Sequence, residues 1–248
     1  MSLINNYFSL VLLFFNLCCY SQSIQVEYNI KAKLPNISSS ARKDESMNQA
    51  FKSIEEAFKY LNSMKMNLKA NSKLSHFYGN NQLDSDYSPE VHQMAKIILG
   101  SENQYFCNLD KGVVIKWFNA YGQKFIIQDS IKTIKWKLSK ETKIIGKYTC
   151  YKATSFYFTK NSSGDFKKEV TAWYAPEIPF PFGPKGFCNL PGLILELTDD
   201  RITYYSNSIK METSSVQIPE LPKGKLTTQD ELDQFGQNVR ENSPWQKN

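Results

Sequence analysis

The second half of the chain is a succession of short segments, each apolar or alternating in polarity, with turn residues between them. The segments read NQYFCNL, GVVIKWFNAYG, QKFIIQD, IKTIKWKL, KYTCYKATSFYF, KEVTAWYA, GLILELT and RITYYSNSIKME, and the turns include DKG, NSSGD and TDDR. Short strands joined by tight turns are typical of an antiparallel meander. The sequence therefore predicts a large antiparallel sheet, in which LILELTDDRITYYS forms a hairpin with Asp199 and Asp200 in its turn.

The first half adds two strands and two helices. SIQVEYNIKAKL alternates in polarity and predicts a half-buried strand, and MNLKANSKLSHFYG predicts a second strand. MNQAFKSIEEAFKYLNSM has apolar residues at helical spacing and predicts an amphipathic helix over the sheet, with Ser46 as its N-cap. SPEVHQMAKIILG predicts a short helix that begins after Ser88 and ends at Gly100. Aromatic residues make up 14% of the chain and favour sheet, so the predicted fold class is mainly β (α+β).

A chain of 248 residues fits a single domain with tails. We assign residues 1–21 to a signal peptide, residues 22–211 to one β-rich domain and residues 212–248 to a C-terminal tail. In the tail, Thr228 and Glu231 have the spacing of a capping box, which predicts a short helix there.

The N-terminal segment predicts the compartment. Residues 1–21 contain no charged side chain and include the apolar run YFSLVLLFFNL. The run is shorter than the ~20 apolar residues that a membrane-spanning helix needs, and it suits a signal peptide that is cleaved after Ser21. A lipidated cysteine at Cys18 or Cys19 and a buried N-terminal strand are alternatives. We expect a periplasmic or outer-membrane-associated protein, with lipid-anchored and secreted forms as further alternatives.

The charge pattern bears on partners. The formal net charge is +6, and acidic residues are spread among the basic ones without an Arg-rich or Lys-rich block. Nucleic-acid binders usually concentrate their positive charge on one run or face, so we expect no nucleic-acid partner. A basic surface is weakly attracted to anionic membranes, which leaves peripheral membrane association open.

Three cysteines follow the predicted signal peptide, namely Cys107, Cys150 and Cys188. In an exported protein an odd number indicates one disulfide with a free thiol, three thiols, or an intermolecular bond. Among the pairings we favour Cys150–Cys188, because both residues flank the motif region described next. The chain has no C-x-x-C spacing that would indicate a zinc site.

Three ordered stretches resemble one protein family. They read IKWKLSKETKIIGKYTCYKAT, VTAWYAPEIPFPFGPKGF and NLPGLILEL. Together they resemble the GLPGLI family, which is named for its Gly-Leu-Pro-Gly-Leu-Ile motif, strongly over residues 136–197 and loosely in the flanks. The positions that carry the resemblance, which we interpret as structural, are Trp136, Gly146, Cys150, Lys152, Gly183, Pro184, Asn189, Leu190, Pro191 and Gly192.

The resemblance implies an exported protein of outer-membrane-bearing bacteria with no established activity and a β-rich fold. By analogy with lipoprotein carriers, we expect an open half-barrel covered by the two helices. Asn189 stands in place of the motif's first glycine. Since Asn is the non-glycine residue best suited to a left-handed backbone, this departure predicts a turn rather than a ligand contact. Lys147 departs from the family's Gly-Tyr step and leaves the geometry of that turn open.

Catalytic patterns are sparse. His76 and His92 are the only histidines, and a Cys–His dyad would need a thiol beside one of them. The chain has no G-x-S-x-G elbow, no metal-binding histidine motif and no phosphate-binding glycine loop that opens a helix. Glu177, in the loop APEIPFPFGP, is the carboxylate that an exported hydrolase could use. We assign no catalytic residue, metal or cofactor, and the enzyme question leans towards no.

The stretch WYAPEIPFPFGPKGFCNLPG favours binding. Proline makes a loop rigid, and aromatic side chains with a few polar groups are typical of ligand pockets. The alternative is a loop that plugs the core of the sheet. We predict non-enzymatic binding of a hydrophobic ligand, a lipid or an envelope protein, with a hydrolase or a structural envelope component as alternatives. The predicted ligand-binding residues are Trp173, Tyr174, Glu177, Phe180, Phe182, Lys185 and Phe187.

Overall fold

A computed structural model describes residues 23–35, 45–79, 86–161 and 164–241. The predicted signal peptide, with Cys18 and Cys19, lies outside the described residues. The described helices are α1 (Glu45–Leu61), α2 (Pro89–Leu99) and α3 (Gln229–Glu241), and two 3₁₀ turns are η1 (Ile131–Thr133) and η2 (Pro184–Gly186). The strands are β1 (Ser23–Ala32), β2 (Lys65–Asn71), β3 (Leu74–Gly79), β4 (Gln104–Asn108), β5 (Val113–Ala120), β6 (Gln123–Ser130), β7 (Lys137–Ile145), β8 (Tyr148–Asn161), β9 (Gly164–Ala175), β10 (Leu193–Asp199), β11 (Ile202–Glu212) and β12 (Lys225–Leu226).

The strands form one sheet of 12 in the order β12-β6-β5-β4-β3-β2-β1-β11-β10-β9-β8-β7. Neighbours are antiparallel, except that β12 runs parallel to β6. β12 and β7 are the two edges, so the sheet is open and does not close into a barrel. The predicted mainly β fold with an antiparallel meander is confirmed.

The connector between β6 and β7 shows that the sheet curls. β6 and β7 lie ten positions apart in the sheet, which would separate them by about 48 Å if the sheet were flat. Residues 131–136 join the two strands, and a connector of that length reaches at most about 25 Å. The sheet therefore bends until its two ends approach each other, and its concave side becomes an interior.

Two segments predicted as single strands contain a break. MNLKANSKLSHFYG forms the hairpin of β2 and β3, because the side-chain oxygen of Asn71 accepts hydrogen bonds from the backbone N–H groups of Lys73 (2.9 Å) and Leu74 (2.8 Å) and so closes a turn. IKTIKWKL begins with η1, where Ser130 Oγ accepts a hydrogen bond from the backbone N–H of Lys132 (3.2 Å), and β7 starts only at Lys137.

The main core is one cluster of buried side chains from the strands, from the two N-terminal helices and from the segment that precedes β10. Along β1 the alternation is as predicted, with Ile24, Val26, Tyr28 and Ile30 buried. Buried side chains of α1 and α2, among them Leu61, belong to the same apolar cluster. No helix within the described ranges is both long and apolar enough to cross a membrane.

The helix boundaries agree with the prediction at α2 and differ at α1. Ser88 caps α2 by accepting from the N–H of Val91 (3.4 Å), and Gly100 ends it in the left-handed conformation at φ +62°. α1 begins at Glu45, so Ser46 lies inside the helix and the prediction of Ser46 as N-cap is wrong. The helix begins two residues earlier than the predicted start at Met47.

The C-terminal segment packs against β5 and β6. The predicted capping box is confirmed: Thr228 Oγ1 accepts from the N–H of Glu231 (3.1 Å), and Glu231 Oε2 accepts from the N–H of Thr228 (3.0 Å). A separate small cluster of Phe118, Phe125 and Ile127, with Leu232 against it, attaches this helix to the sheet. β12 was not predicted from the sequence, because a strand of two residues has no periodicity.

Candidate functional site

A cavity of about 860 Å³ opens on the concave side of the sheet. Its walls come from both ends of the sheet, namely β4–β6 on one side and β8 with the end of β10 on the other, and from η1, η2 and the segment before α3. Aromatic and apolar side chains form one part of the wall, and charged or hydroxyl-bearing side chains form the rest. The lining includes Tyr105, Val114, Ile134, Tyr157 and Phe187 together with Lys185, Asp199 and Thr227.

A lysine–aspartate pair lies in the wall of this cavity. Lys185 Nζ donates a short hydrogen bond to Asp199 Oδ2, and the hydroxyl of Tyr157 donates to Asp199 Oδ1 (2.7 Å). The Asp199 side chain is 4% exposed and that of Lys185 is 26% exposed. Lys185 occupies the left-handed region at φ +56°, in the turn η2 that presents its side chain to Asp199. The free-energy cost of burying the Asp199 carboxylate is offset by two hydrogen-bond donors, the ammonium of Lys185 and the hydroxyl of Tyr157.

The prediction that Asp199 serves the hairpin turn is wrong. Asp199 is the last residue of β10, paired with Ile202, and its side chain is buried in the cavity wall. Asp200 does lie in the turn, at φ +56°, and forms an exposed ion pair with Lys168 (2.5 Å). The two neighbouring aspartates point to different faces because the strand alternation continues through Asp199.

The environment of the pair shifts several pKa values. Burial by itself lowers the pKa of Lys185, but the surrounding groups, Tyr204, Tyr105 and Asp199 first among them, outweigh burial and hold it well above its usual value. Burial raises the pKa of Tyr157, and the carboxylate of Asp199 adds to that shift. Burial also raises the pKa of Tyr204. Because these pKa values are raised, the Lys185 side chain is charged and the Tyr157 and Tyr204 hydroxyls are neutral at neutral pH.

We expect the stability to fall steeply above pH 10. Burial raises the pKa of Tyr28 and Tyr204, so each stays protonated in the folded state while the unfolded state loses the proton at about pH 10. The unfolded state then binds fewer protons, and each tyrosine lowers the free energy of unfolding by about 1.4 kcal/mol per pH unit. Urea unfolding between pH 8 and pH 11.5 measures the slope.

Matched variants test the cause of this alkaline loss. Tyr204→Phe should reduce the slope above pH 10 by about 1.4 kcal/mol per pH unit, whereas Tyr121→Phe should not change it because Tyr121 is 54% exposed. An unchanged slope in Tyr204→Phe would contradict the assignment to buried tyrosines.

The aromatic loop, Pro176–Gly192, runs from β9 to β10 and enters the interior of the curled sheet. Phe180 and Phe182 are 3% and 0% exposed and belong to the main core. Phe187 and Lys185 line the cavity. The indole N–H of Trp136 donates to the carbonyl of Cys188 (2.8 Å), and its ring lies 6.0 Å from that of Phe187. The loop is thus both a plug of the core and a wall of the cavity.

The other predicted ligand-binding residues lie away from the cavity lining. Tyr174 is 5% exposed within the core. Trp173 lies beneath the ammonium groups of Lys143 (4.6 Å) and Lys152 (6.0 Å). Glu177 is exposed and accepts a hydrogen bond from the N–H of Thr149 (3.2 Å). The structure thus brings Lys185 and Phe187 together but not the whole predicted set, and whether any of them binds a ligand stays a prediction.

Tyr105, Tyr157 and Asp199 line the cavity but were not predicted as site residues from the sequence. Tyr157 on β8 and Asp199 on β10 are close because both strands pair with β9, and the curl of the sheet brings Tyr105 on β4 to them. The position of Asp199 in the cavity wall did have a signal in the sequence. If the alternation of LILELTD is continued to its last residue, Asp199 falls on the same side as the buried Leu195 and Leu197.

The motif positions have structural contacts. Asn189 has φ +68°, so the prediction of a left-handed turn is confirmed. A Cβ on Gly192, at φ +153°, would lie 2.2 Å from the carbonyl oxygen of Ala175, and one on Gly183 would meet Ile194 at 2.6 Å. Gly146 lies in the β7–β8 turn at φ +60°, and the ammonium of Lys147 beside it lies 5.4 Å from the Tyr148 ring. Lys152 forms an ion pair with Glu141 (3.0 Å). Pro184 and Leu190 are buried, whereas Pro191 is exposed.

His76 and His92 are buried, and so are Cys107, Cys150 and Cys188. His76 Nε2 contacts Gln104 Oε1 (2.9 Å), and the ring of His92 lies 4.7 Å from Tyr60. Cys107 Sγ lies 3.2 Å from Cys188 Sγ, whereas Cys150 Sγ faces the carbonyl of Tyr148 (3.8 Å). The favoured pairing of Cys150 with Cys188 is therefore wrong, because the curl places β4 rather than β8 beside Cys188. Burial raises the pKa of the Cys150 thiol to about 11.

The fold and site define a curled, open β sheet with an internal plug and a cavity, and comparisons with known proteins add little to this. A family model described as "Protein of unknown function (Porph_ging)" matches residues 159–196, which include β9, the aromatic loop and the start of β10. No curated protein matches.

Two solved structures are distantly similar. A chain described as "Structure of PNGF-II in P21 space group" has a TM-score of 0.46 at 15% identity, over 84% of this chain and 31% of that chain. A second, "Structure of PNGF-II in C2 space group", has a TM-score of 0.48 at 15% identity, over 89% of this chain and 33% of that chain. The chain spans about a third of the length of those two solved chains.

Proposed function

We propose that this chain is an exported, non-enzymatic binding protein of the cell envelope, and that its cavity holds an amphipathic organic ligand. The observation that carries the proposal is the lysine–aspartate pair in the wall of a cavity of about 860 Å³. Ligand cavities usually measure about 300–1,000 Å³ and combine apolar walls with a few well-placed polar groups. The volume and the composition of the lining both support this function.

The lining suggests how a ligand would bind. An apolar body would contact Phe187, Val114 and Ile134, and a polar head would reach Lys185. An ammonium group has three N–H donors, so Lys185 retains donors for a ligand oxygen while one is directed to Asp199. Asp199 holds the ammonium in position, and its own second oxygen is held by Tyr157. The polar head would therefore meet a fixed donor, which limits the ordering cost of binding.

We also propose that the curl is that of a half-barrel and that the chain is a GLPGLI-type protein. The family match to a domain of unknown function and the left-handed Asn189 in the naming motif support this. Export, a periplasmic or outer-membrane location, and a lipid or envelope protein as ligand rest on the N-terminal sequence and on this resemblance. A hydrolase that uses Glu177 has less support, because the hydrogen-bond partner of that carboxylate is a backbone amide and its side chain is exposed.

A substitution that fills the cavity tests the binding function. Gln128, on β6, lines the cavity and is exposed, so a larger side chain there can enter the cavity without disturbing the core. We expect Gln128→Trp to weaken binding of dodecanoate, titrated by competition with the dye 1-anilinonaphthalene-8-sulfonate, by about tenfold, the effect of losing roughly 1.4 kcal/mol of contact.

Gln123→Trp is the matched control, because Gln123 is exposed on the same strand and does not line the cavity. It should bind both molecules as the unchanged protein does. Dodecanoate and dye binding that are equal in the two variants, or absent from the unchanged protein, would contradict the proposed function.

A further inference from the structure

Two buried thiols meet between the aromatic loop and the sheet. Cys107 Sγ donates towards Cys188 Sγ at 3.2 Å, and the two side chains are 1% and 0% exposed. A disulfide needs the sulfur atoms at about 2.05 Å, so a shift of about 1 Å would join them. Neither sulfur faces solvent, and the residues lie 81 positions apart in the sequence.

The two thiols belong to the two walls that shape the cavity. Cys107 is on β4, two residues after Tyr105, and Cys188 is in the aromatic loop, three residues after Lys185. Tyr105 and Lys185 both line the cavity. The turn η2 is packed closely against the neighbouring strand, since a Cβ on Gly186 would lie 2.5 Å from Val114 Cγ1. A bond between the thiols would hold these walls in fixed relation.

We propose that Cys107 and Cys188 form a disulfide on exposure to a disulfide oxidant, and that this bond regulates the cavity by locking the aromatic loop onto β4. The assignment leaves Cys150, which faces the Tyr148 carbonyl, as the unpaired thiol of the three. The regulatory part rests on the proposed binding function, whereas the bond itself does not.

The reaction is thiol–disulfide exchange with a small disulfide such as oxidised glutathione. The thiolate of one cysteine attacks a glutathione sulfur, which forms a mixed disulfide and releases one glutathione thiolate. The thiolate of the second cysteine attacks the protein sulfur of the mixed disulfide and releases the second glutathione. Two protein thiols lose two electrons and two protons, and one glutathione disulfide becomes two thiols. Because buried thiols are inert, the exchange occurs during folding or when the aromatic loop opens locally.

The bond should have a large effect on stability. A cross-link between residues 81 apart removes much chain entropy from the unfolded state, and the expected rise in Tm is roughly 10 °C. The disulfide should also fix the cavity wall that carries Lys185. We expect the oxidised form to bind the dye about two- to tenfold more tightly, because a side chain that is already ordered loses less entropy on binding.

The experiment uses the full chain, refolded in a glutathione redox buffer that is either oxidising or fully reducing. Free thiols are alkylated, and peptide mapping identifies the linked cysteines. The Tm and the affinity for 1-anilinonaphthalene-8-sulfonate are measured on both forms. We expect a Cys107–Cys188 peptide, an alkylated Cys150, and the higher Tm and affinity in the oxidised form.

Variants make the outcome specific. Cys150→Ser should retain the redox-dependent Tm difference, and Cys107→Ser should lose it. If Cys107→Ser does not fold, the peptide map of the unchanged protein still decides the pairing. A Cys150–Cys188 peptide, or thiols that stay reduced throughout, overturns the proposal, and so does an equal dye affinity in the two forms. A disulfide that raises the Tm in a protein that binds no dye supports the cross-link and counts against the binding function.

Discussion

Gly192→Ala is expected to lower the free energy of unfolding by about 3–5 kcal/mol, the sum of backbone strain and overpacking. Gly192 has φ +153°, which a residue with a Cβ adopts only with strain, and the added Cβ would lie 2.2 Å from Ala175 O and 2.8 Å from Pro176 Cα. These are backbone atoms at the end of β9, so no side chain can move aside. Urea unfolding at pH 7 measures the loss.

Gly164→Ala is the matched control for the strained dihedral. Gly164 has φ +124°, and a Cβ there meets nothing within 4 Å. The loss should therefore be about 1–2 kcal/mol, the cost of the backbone conformation alone. If the two alanine variants lose the same amount, the close approach to Ala175 does not determine the effect, and the account of Gly192 is wrong.

Lys185→Met is expected to destabilise the fold by about 3 kcal/mol, because it leaves the carboxylate of Asp199 buried without its cationic partner. The Asp199 side chain is 4% exposed, so water hydrates the unpaired carboxylate poorly. The double variant Lys185→Met/Asp199→Asn should recover most of the loss, since a neutral amide can still accept the hydrogen bond from Tyr157.

The control is the exposed ion pair that Asp200, the residue after Asp199, forms with Lys168. Lys168 and Asp200 form an ion pair with side chains that are 33% and 45% exposed. Lys168→Met should cost less than about 1 kcal/mol, as surface ion pairs do. Thermal and urea unfolding of the unchanged protein and the three variants measure these differences in stability. A double variant that is as unstable as Lys185→Met would show that the lost packing of the lysine stem, not the unpaired charge, causes the destabilisation.

Local features of the fold were predictable, because a pattern of neighbouring residues carries them. The alternation in β1 determines which side of the strand is buried, and the Ser88 cap with Gly100 delimits α2. The left-handed turn at Asn189 was predicted because Asn stands where the resembled motif has a glycine, and few other non-glycine residues tolerate that backbone region. In each case the deciding interactions lie within a few positions along the chain.

The cavity was not predictable in the same way. Tyr105 is brought to Tyr157 and Asp199 by the pairing of β1 with β11 and by the curl of the sheet, neither of which leaves a local pattern. Asp199 was assigned to a turn because it precedes a second aspartate, although its alternation places it on the buried side. Cys188 was paired with Cys150 because both flank the motif region, whereas the structure places Cys107 of β4 beside it.

The strand order relates this fold to a simple up-and-down meander. β1 to β6 run outward in one direction from the centre of the sheet, and β11 back to β7 run outward in the other. Glu212 at the end of β11 is paired with Ser23 at the start of β1. If these two residues were joined and the chain were cut between β6 and β7, strands β7 to β11 and then β1 to β6 would form one continuous up-and-down meander. The fold is thus a circularly permuted simple meander. β1 and β11 pair across a long stretch of chain, with Gln25 contacting Glu212 187 positions away. Closing so large a loop is entropically costly, so we expect this pairing to form after the two groups of consecutive strands on either side of it. The short parallel strand β12 then adds to β6 at the edge of the sheet.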